Sequence, residues 1–337
     1  MAYAGIDIAN RTSSVCVVDA RGGVEHEVTV ATEETALVAA LGSQPGRRVV
    51  VEAAPLAEWV ARVLECAGHE PVIIDARAAK HLVSSAKKTD ARDARTLAQI
   101  SRTGWYTAVH RKSTQARLQR SRIQARQAMV RTYTRMGAQM RGLLRAHGVR
   151  VGRSSAGQLG ERVRERAAAE VPDLAPWLEP LIEVYEQALA QARSLERALA
   201  RGARRDELSQ RLQSVPGVGP MVSMVYIATV DDPWRFRSHD EVADYIGLAP
   251  RVYQSGDCQF HGRISREGDK LLRWHLVEAA QALLTRGADC ALKRWGRRLA
   301  ERKGQAKAKV AVARKLAGLL RRLWVTGERF TAWPQEA

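Results

Sequence analysis

Three short β-prone hydrophobic runs lie near the start of the chain, at Tyr3–Ile8, Ser13–Val18 and Val24–Val30. The turn signals Asn10-Arg11 and Gly22-Gly23 separate them. Short runs of this kind, joined by tight turns, are typical of consecutive antiparallel strands. The pattern therefore predicts a three-stranded meander.

Helical and strand patterns alternate in the next stretch. Helices are predicted over Glu33–Leu41 and Leu56–Ala67, and strands over Arg48–Glu52 and Glu70–Ile74. The uniformly apolar centre of the first of these strands is typical of a parallel strand that is covered on both faces. A meander followed by βαβ units predicts an α/β domain with a mixed sheet of the ribonuclease-H type.

The middle of the chain is predicted to be helical. Thr114–Ala146 has no proline and carries only a thin apolar stripe, so it needs a partner helix. Glu179–Leu199 has apolar residues at helical spacing and is the predicted partner. Together they predict an antiparallel, coiled-coil-like arm.

A third, mainly helical unit is predicted from about Leu208. It begins with a turn over Pro216–Pro220 and a helix, continues as an irregular stretch to Gly262, and resumes as a long helix over Lys270–Leu284. We expect three domains, at 1–110, 111–205 and 206–330.

The charge balance points to a polyanionic partner. Lys and Arg number 54 against 36 Asp and Glu, which gives a net charge of +18, and nucleic acid is the usual partner of so basic a chain. A membrane is the rival partner, but no apolar run approaches the roughly 18 residues of a spanning helix. The four cysteines show no CxxC spacing, and the first residues lack a signal-peptide pattern. We expect a cytoplasmic protein.

Two segments concentrate the positive charge. No acidic residue occurs between Asp93 and Glu161, and Lys293–Arg322 contains 12 Lys and Arg against the single acid Glu301. A charge run is often only a solvated helix face, but so complete an absence of acids favours contact with phosphates. The residues expected to make these contacts are Arg117, Arg120, Arg126, Arg131, Arg135, Arg297, Arg298 and Lys307.

Four acids in the first domain are candidate metal ligands. Asp7 lies inside an apolar strand, where a carboxylate is costly unless it is compensated. Glu52 ends a predicted parallel strand, where sites of α/β proteins gather. Asp90 and Asp93 are three residues apart and share a helix face. Carboxylates converging from two strands and a helix can hold two Mg²⁺ ions for phosphoryl transfer.

Each of these acids also has a structural interpretation. Asp90 is placed to be a helix N-cap, and Asp93 to be a first-turn acid stabilised by the helix dipole. Glu52 taken alone is typical of a surface acid at a strand end. Asp7 is the hardest to explain structurally, and the set as a whole favours a metal site.

The sequence Pro-Gly-Val-Gly-Pro between two helices matches a helix-hairpin-helix. Gly217 and Gly219 permit a tight turn whose amides suit a DNA phosphate, and the small Ser223 would let the second helix approach the first. A purely structural turn would have the same sequence.

Two serines in the C-terminal domain are candidate nucleophiles. Ser255 lies in Gln-Ser-Gly-Asp, which is a turn sequence, and no nearby residue marks a general base. The neighbouring His261 is weak evidence by itself. Ser265 precedes the long helix and is also placed to cap it.

Taken together, GIDIAN, VEAA, KKTDARDA, VPGVGP, GLAPRVYQSGD and GRISREGDKLLRWHLVEAAQ resemble the insertion sequence 110 transposase family. The resemblance covers nearly the whole chain, with the motifs in order. These are DEDD transposases with a RuvC-like N-terminal domain, a helical middle and a C-terminal transposase domain.

The resemblance implies specific chemistry. Asp7, Glu52, Asp90 and Asp93 would bind Mg²⁺, and Ser255 would join covalently to a DNA 5′-phosphate. It also implies an RNA-guided recombinase in which a noncoding bridge RNA pairs with target and donor DNA. Protein dimers would assemble into a tetramer, with the halves of each active site meeting between protomers.

Two other functions are compatible with the residues. A RuvC-like hydrolytic nuclease or junction resolvase needs the four acids and a water but no serine. A non-catalytic nucleic-acid-binding scaffold needs neither a metal site nor a nucleophilic serine, and its acids would only cap helices.

Overall fold

The computed structural model describes residues 2–42, 44–75, 89–255 and 258–333, with the backbone alone described over 252–255 and 258–261. The chain divides into two compact units, Met1–Lys112 and Ser113–Ala337.

The first unit is built on a mixed five-stranded sheet. Its strands are β1 (Tyr3–Ile8), β2 (Thr12–Val18), β3 (Val24–Ala31), β4 (Arg48–Glu52) and β5 (Glu70–Ile74). The order across the sheet is β3-β2-β1-β4-β5; β1 is antiparallel to β2 and parallel to β4, and β4 is parallel to β5. The predicted meander and the predicted parallel strands are both confirmed, as is the mixed sheet.

In the described part of this unit, three helices cover the sheet, namely α1 (Glu34–Ala40), α2 (Ala57–Cys66) and α3 (Asp90–Thr103). One face of the sheet packs on α1 and α2 through an apolar cluster that includes Ile6 and Val51. The opposite face packs on α3, with Val50 against Leu97. Strand β4 is therefore covered on both sides, which is why its three central valines are all buried.

The second unit is mainly helical. Its helices are α4 (Thr114–Ala146), α5 (Leu159–Glu170), α6 (Ala175–Arg205), α7 (Glu207–Leu212), α8 (Pro220–Val230), α9 (His239–Ile246), α10 (Lys270–Thr285), α11 (Ala291–Lys303) and α12 (Gln305–Thr326). None of the described helices is long and apolar enough to cross a membrane.

The long helices α4 and α6 form the predicted antiparallel pair. Ile123, near the start of α4, shares a cluster with Leu199 near the end of α6. Met140, near the end of α4, instead packs with Leu178 near the start of α6. Helix α6 extends beyond the predicted Glu179–Leu199 at both ends. The thin apolar stripe of α4 is thus covered by a partner, as its sequence requires.

The stretch before Gly262, predicted to be irregular, instead contains regular elements. It contains α9 and a hairpin of β6 (Pro250–Ser255) and β7 (Cys258–Ile264). The sequence-based prediction failed because the glycines and polar residues in this region suggested loop, whereas pairing between the two strands satisfies their backbone groups.

Candidate functional site

The backbone of the first unit brings three of its elements together at one edge of the sheet. Strands β1 and β4 are in register with Ile6 beside Val51, so Asp7 and Glu52 are at the same level at the carboxyl ends of adjacent strands. Because side chains alternate along a strand, both acids lie on the face opposite to Ile6 and Val51. That is the face covered by α3.

Helix α3 runs antiparallel to these strands. The Ser101 hydroxyl near its end donates to the carbonyl of Arg48 at the start of β4, at 2.8 Å. From Ser101 back to Asp93 a helix rises about 12 Å, and from Arg48 to Glu52 a strand covers about 13 Å. The first turn of α3, with Asp90 and Asp93, therefore begins at the same edge of the sheet.

Gly5 allows this approach. A Cβ at Gly5 would lie 2.2 Å from the Ala98 amide nitrogen and 2.3 Å from the Ala94 carbonyl oxygen, distances at which no side chain fits. Helix α3 therefore rests directly on the backbone of β1. The local pattern does not predict this role, and its one signal is the small size of Gly5, two residues before Asp7.

The four carboxyl groups differ in exposure. Asp7, Glu52 and Asp93 are half-buried and Asp90 is exposed. Within the described residues, no three His, Cys, Asp or Glu side chains are grouped closely enough to hold a metal ion. The donor set of four carboxylates has the oxygen chemistry that Mg²⁺ prefers.

The structure corrects one of the structural interpretations. The N-cap of α3 is Thr89, whose hydroxyl accepts from the Arg92 amide, so Asp90 is not the cap. Asp90 and Asp93 are both acids of the first turn, where the helix dipole favours them.

In the second unit, some of the predicted phosphate-binding arginines are exposed, and others form ion pairs with acids of the same unit. Arg131 and Arg135 are exposed on α4. Arg120 pairs with Asp269, and Arg126 with Glu196 at 2.9 Å. Arg117 donates to the Thr114 hydroxyl at 3.1 Å. The structure therefore gives Arg120 and Arg126 a packing role that the charge pattern did not predict.

The C-terminal basic segment is divided in the same way. Arg297, Arg298 and Lys307 are exposed. Lys293, which the sequence analysis counted in this basic surface, is instead buried and donates to the carbonyl of Gly287.

The Pro-Gly-Val-Gly-Pro turn joins α7 to α8. The hydroxyls of Ser209 and Ser223 are 2.7 Å apart and both serines are fully buried, which confirms that the small Ser223 lets the two helices approach. Gly217 has φ +90°, and a Cβ there would lie 2.5 Å from the Ala279 carbonyl oxygen of α10, so it packs internally. Gly219 has open space beside it.

Ser255 is the last residue of β6 and is paired with Cys258 of β7. Its side chain, like that of His261, lies outside the described residues, as do Gly256 and Asp257. Ser265 does not cap the following helix, because the cap of α10 is Asp269, which accepts from the Leu272 amide.

Two close backbone contacts build the base of this hairpin. A Cβ at Gly247 would lie 1.8 Å from the Glu267 carbonyl oxygen, and one at Gly268 would lie 2.0 Å from the Tyr245 carbonyl oxygen. The Arg273 guanidinium adds a hydrogen bond of 2.7 Å to the Ile246 carbonyl. The hairpin that carries Ser255 therefore rises from a tightly packed base.

Asp269 links this base to α4. Burial alone would raise the pKa of Asp269, but the amide of Leu272 and the Arg120 guanidinium outweigh burial and hold its pKa below the ordinary value. Arg120 thus binds an ionised carboxylate that also caps α10. Sequence reasoning missed this pair because its members are 149 positions apart.

Comparisons with known proteins agree with this organisation. Residues 4–148 match a DEDD transposase family described as "Transposase". Residues 209–295 match the family described as "Transposase IS116/IS110/IS902 family". The first match covers the sheet, α3 and α4, and the second covers the Pro-Gly-Val-Gly-Pro turn and the hairpin of β6 and β7, called here the serine hairpin.

Similar proteins are known from several bacteria. A "Probable family 20 transposase" of Pseudomonas aeruginosa is 31% identical, over 98% of this chain and 97% of its own length. The "Transposase for insertion sequence element IS1111A" of Coxiella burnetii is 28% identical, over 94% of this chain and 87% of its own length.

The class defined by this fold and these matches is a transposase, a DNA-recombining enzyme. More particularly, the chain belongs to the IS110 family of insertion-sequence transposases.

Proposed function

We propose that this transposase is an RNA-guided DNA recombinase that cuts and rejoins DNA through metal-bound carboxylates and a covalent phosphoserine. The observation that supports the proposal is that Asp7, Glu52 and the first turn of α3 lie on one face and at one edge of a mixed five-stranded sheet. Asp7, Glu52, Asp90 and Asp93 would hold Mg²⁺. The cations would offset charge on the transferring phosphate and help to ionise the attacking hydroxyl.

The proposed strand transfer needs no external energy source. The Ser255 hydroxyl oxygen attacks the phosphorus, the bond from phosphorus to the 3′-oxygen breaks, and the 3′-oxygen takes up a proton. A 3′-hydroxyl of another strand then attacks the phosphoserine and loses its proton, the bond from phosphorus to the Ser255 oxygen breaks, and that oxygen takes up a proton to restore the hydroxyl. A serine hydroxyl needs such activation because it is a weak nucleophile at its ordinary pKa.

The proposed partners are double-stranded target and donor DNA and a structured bridge RNA. The exposed Arg131, Arg135, Arg297, Arg298 and Lys307, with the turn at Gly219, would contact their backbones, while base pairing would read the sequence, as in other RNA-guided systems. We propose a dimer that assembles to a tetramer in the cytoplasm, with each active site completed between protomers.

The test is strand exchange by the purified protein with Mg²⁺, bridge RNA and both DNA partners. Ser255→Ala and Asp7→Asn should each abolish exchange while DNA binding is kept, and the covalent protein–DNA adduct should disappear in Ser255→Ala. Ser265→Ala is the matched control and should retain exchange.

Three other results would overturn the proposal. Full exchange by Ser255→Ala with loss in Ser265→Ala would move the nucleophile to Ser265. Metal-dependent cleavage without any adduct would favour a hydrolytic nuclease. Unchanged behaviour of Asp7→Asn, with no activity in any divalent metal, would favour a non-catalytic scaffold.

A further inference from the structure

A concave groove of about 950 Å³ lies in the second unit between α11 and α12. The first residues of α9 and the segment after α12 complete its walls. Its floor is apolar and includes Leu292, Trp295, Leu319 and Phe330. The volume and apolar lining match those of sites that enclose a small molecule or part of a larger one. We call this feature the α11–α12 groove.

The walls of the groove are held by close packing. A Cβ at Gly318 would lie 2.8 Å from the His239 Cβ, so α12 and the start of α9 are in direct contact. A Cβ at Gly296 would lie 2.7 Å from Leu284 on one side and from Val312 on the other. These contacts leave the helices little freedom to close the groove by moving together.

The segment after α12 is also fixed. The Ala291 amide donates to the Ala332 carbonyl at 3.0 Å, and the Phe330 amide donates to the Ser214 hydroxyl at 2.9 Å. The groove is therefore largely formed before any ligand enters.

Four cations and one acid line the groove above this floor. Arg314 is neutralised by Asp240 at 2.9 Å. Arg298 and Arg322 are exposed, and neither has an acidic partner in the described part of the chain. The Lys315 ammonium lies over the Trp295 ring, 4.2 Å from its centroid. Positive charge thus remains uncompensated around an aromatic floor.

We propose that the α11–α12 groove binds an unpaired nucleotide of a nucleic-acid strand, with its base on Trp295 and its phosphates on Arg298 and Arg322. Bases stack on aromatic side chains once they leave a duplex, and basic residues follow the backbone. Lys315 is exposed, so its ammonium is free to move to a phosphate while the base takes its place over the ring.

The apolar floor argues against a purely electrostatic contact with a duplex. Duplex phosphates are on the outside of a stacked helix and need only surface cations. A concave apolar floor is reached only by a group that projects from the strand, which an unpaired base does and a paired base does not. The proposal rests on the proposed function in one respect, since it assumes that single-stranded segments arise during recombination.

The test measures binding of the full chain to a labelled 12-nucleotide oligo-dT and to a duplex of the same length by fluorescence anisotropy. Trp295→Ala should weaken binding of the single strand about tenfold and change duplex binding by less than twofold, because stacking contributes strongly for each base. Trp295→Phe should restore most of the loss. The control is Trp234→Ala, which removes a tryptophan of the same unit that is 70% exposed and is not part of the groove, whereas Trp295 is half-buried.

Photocrosslinking supplies an independent measurement. An oligo-dT with one 5-iododeoxyuridine should crosslink to the peptide that contains Trp295 or to the one that contains Phe330. The double variant Arg298→Gln, Arg322→Gln should lower the crosslinking yield at least fivefold. Arg302→Gln, which removes an exposed cation of α11 outside the groove, should leave the yield unchanged.

Three outcomes would overturn the assignment. Equal losses for single strand and duplex in Trp295→Ala would mean a structural or purely electrostatic role. Crosslinks confined to other peptides would place the unpaired base elsewhere. If the oligonucleotide gave no crosslinks to the groove and only an acidic amphipathic peptide displaced it, the groove would be a protein-docking surface. Strand exchange by the Ser255 and Asp7 variants tests the proposed function separately, because neither residue lines the groove.

Discussion

At the scale of single residues, Gly5 determines how near α3 comes to the central strand. Its missing side chain leaves room for the Ala94 carbonyl and the Ala98 amide of α3, which would both lie within 2.3 Å of a Cβ. The candidate metal ligands Asp7 and Asp93 belong to these two elements. A glycine therefore controls whether two carboxylates from different elements can share a site.

We expect Gly5→Ala to destabilise the protein by about 2–3 kcal/mol, because overpacking of a closely packed contact forces the backbone apart. Urea denaturation followed by circular dichroism measures the change. The control is Gly142→Ala in the exposed part of α4, where a Cβ meets open space; it should be neutral or stabilising by up to about 1 kcal/mol. Equal stability of Gly5→Ala and the wild type would show that α3 does not rest on β1.

His275 is a second residue whose surroundings determine its behaviour. It is only 5% exposed, and its Nε2 has no hydrogen-bond partner among the described residues. Burial, reinforced by the nearby Arg126 guanidinium, lowers the pKa of His275 to about 4. Glu196 and Asp269 act in the opposite direction but do not cancel this effect.

The sign of the resulting pH dependence follows from linkage. The unfolded chain, where the pKa of His275 is 6.5, binds the proton more readily than the folded protein. The contribution of neutral His275 to the free energy of unfolding is therefore fully present above about pH 6.5. It decreases by about 2–3 kcal/mol in total as the pH falls from there towards 4. His275→Gln should have a flatter stability profile between pH 7 and pH 4, measured by urea denaturation. Parallel profiles for the two proteins would contradict the assignment.

At the scale of elements, α4 and α10 are joined by the ion pair of Arg120 with Asp269. The Asp269 carboxylate also caps α10, and the residues just before it form the base of the serine hairpin. The Asp269 carboxylate thus holds the start of α10, helix α4 and the base of the serine hairpin in place.

We expect Asp269→Asn and Arg120→Gln each to destabilise the protein by about 1–3 kcal/mol, because each variant leaves the partly buried charge of the other residue unpaired. The double variant should lose less than the sum of the two, which a double-mutant cycle in urea denaturation measures. Arg62→Gln, which removes an exposed pair with Glu58 in the same helix, should change stability by less than about 0.5 kcal/mol. Simple additivity would show that the pair is not coupled.

At the scale of the whole molecule, the net charge of +18 is distributed unevenly. Part of the arginine content of α4 is neutralised by acids of α6 and of the hairpin base, and part is exposed. Only the exposed part is available to phosphates. The sum of charges therefore overstates the number of contacts that nucleic acid can make.

The salt dependence of DNA binding distinguishes the exposed arginines from those that are paired with acids. Removing Arg131 and Arg135 together, by Arg131→Gln and Arg135→Gln, should reduce the slope of log K against log salt by about 2, because each duplex phosphate contact contributes about 0.9. Arg62→Gln with Arg166→Gln is the matched control, since both arginines are exposed but paired with glutamates of their own helices. An unchanged slope in the first double variant would exclude this face of α4 from the DNA contact.

The sequence by itself determined most elements of this protein, because their signals are local. The bounds of β1, β4, β5 and α4 agree with the predicted ranges, since hydrophobic runs and the absence of proline act within a few residues. The motifs also identified the transposase family, because they preserve order and spacing along the chain. The hairpin of β6 and β7 was missed because its stability depends on pairing between two strands that each look like loop.

Tertiary structure alone decided which residues meet. Nothing in the local pattern indicates that Ser101 of α3 binds Arg48, that Arg120 pairs with Asp269, or that Gly217 packs on α10. These contacts join residues far apart in the chain, and they depend on the packing of whole helices and strands rather than on the preferences of neighbouring residues. Folding pairs some arginines with acids and leaves others exposed, a division that the charge of the sequence does not contain.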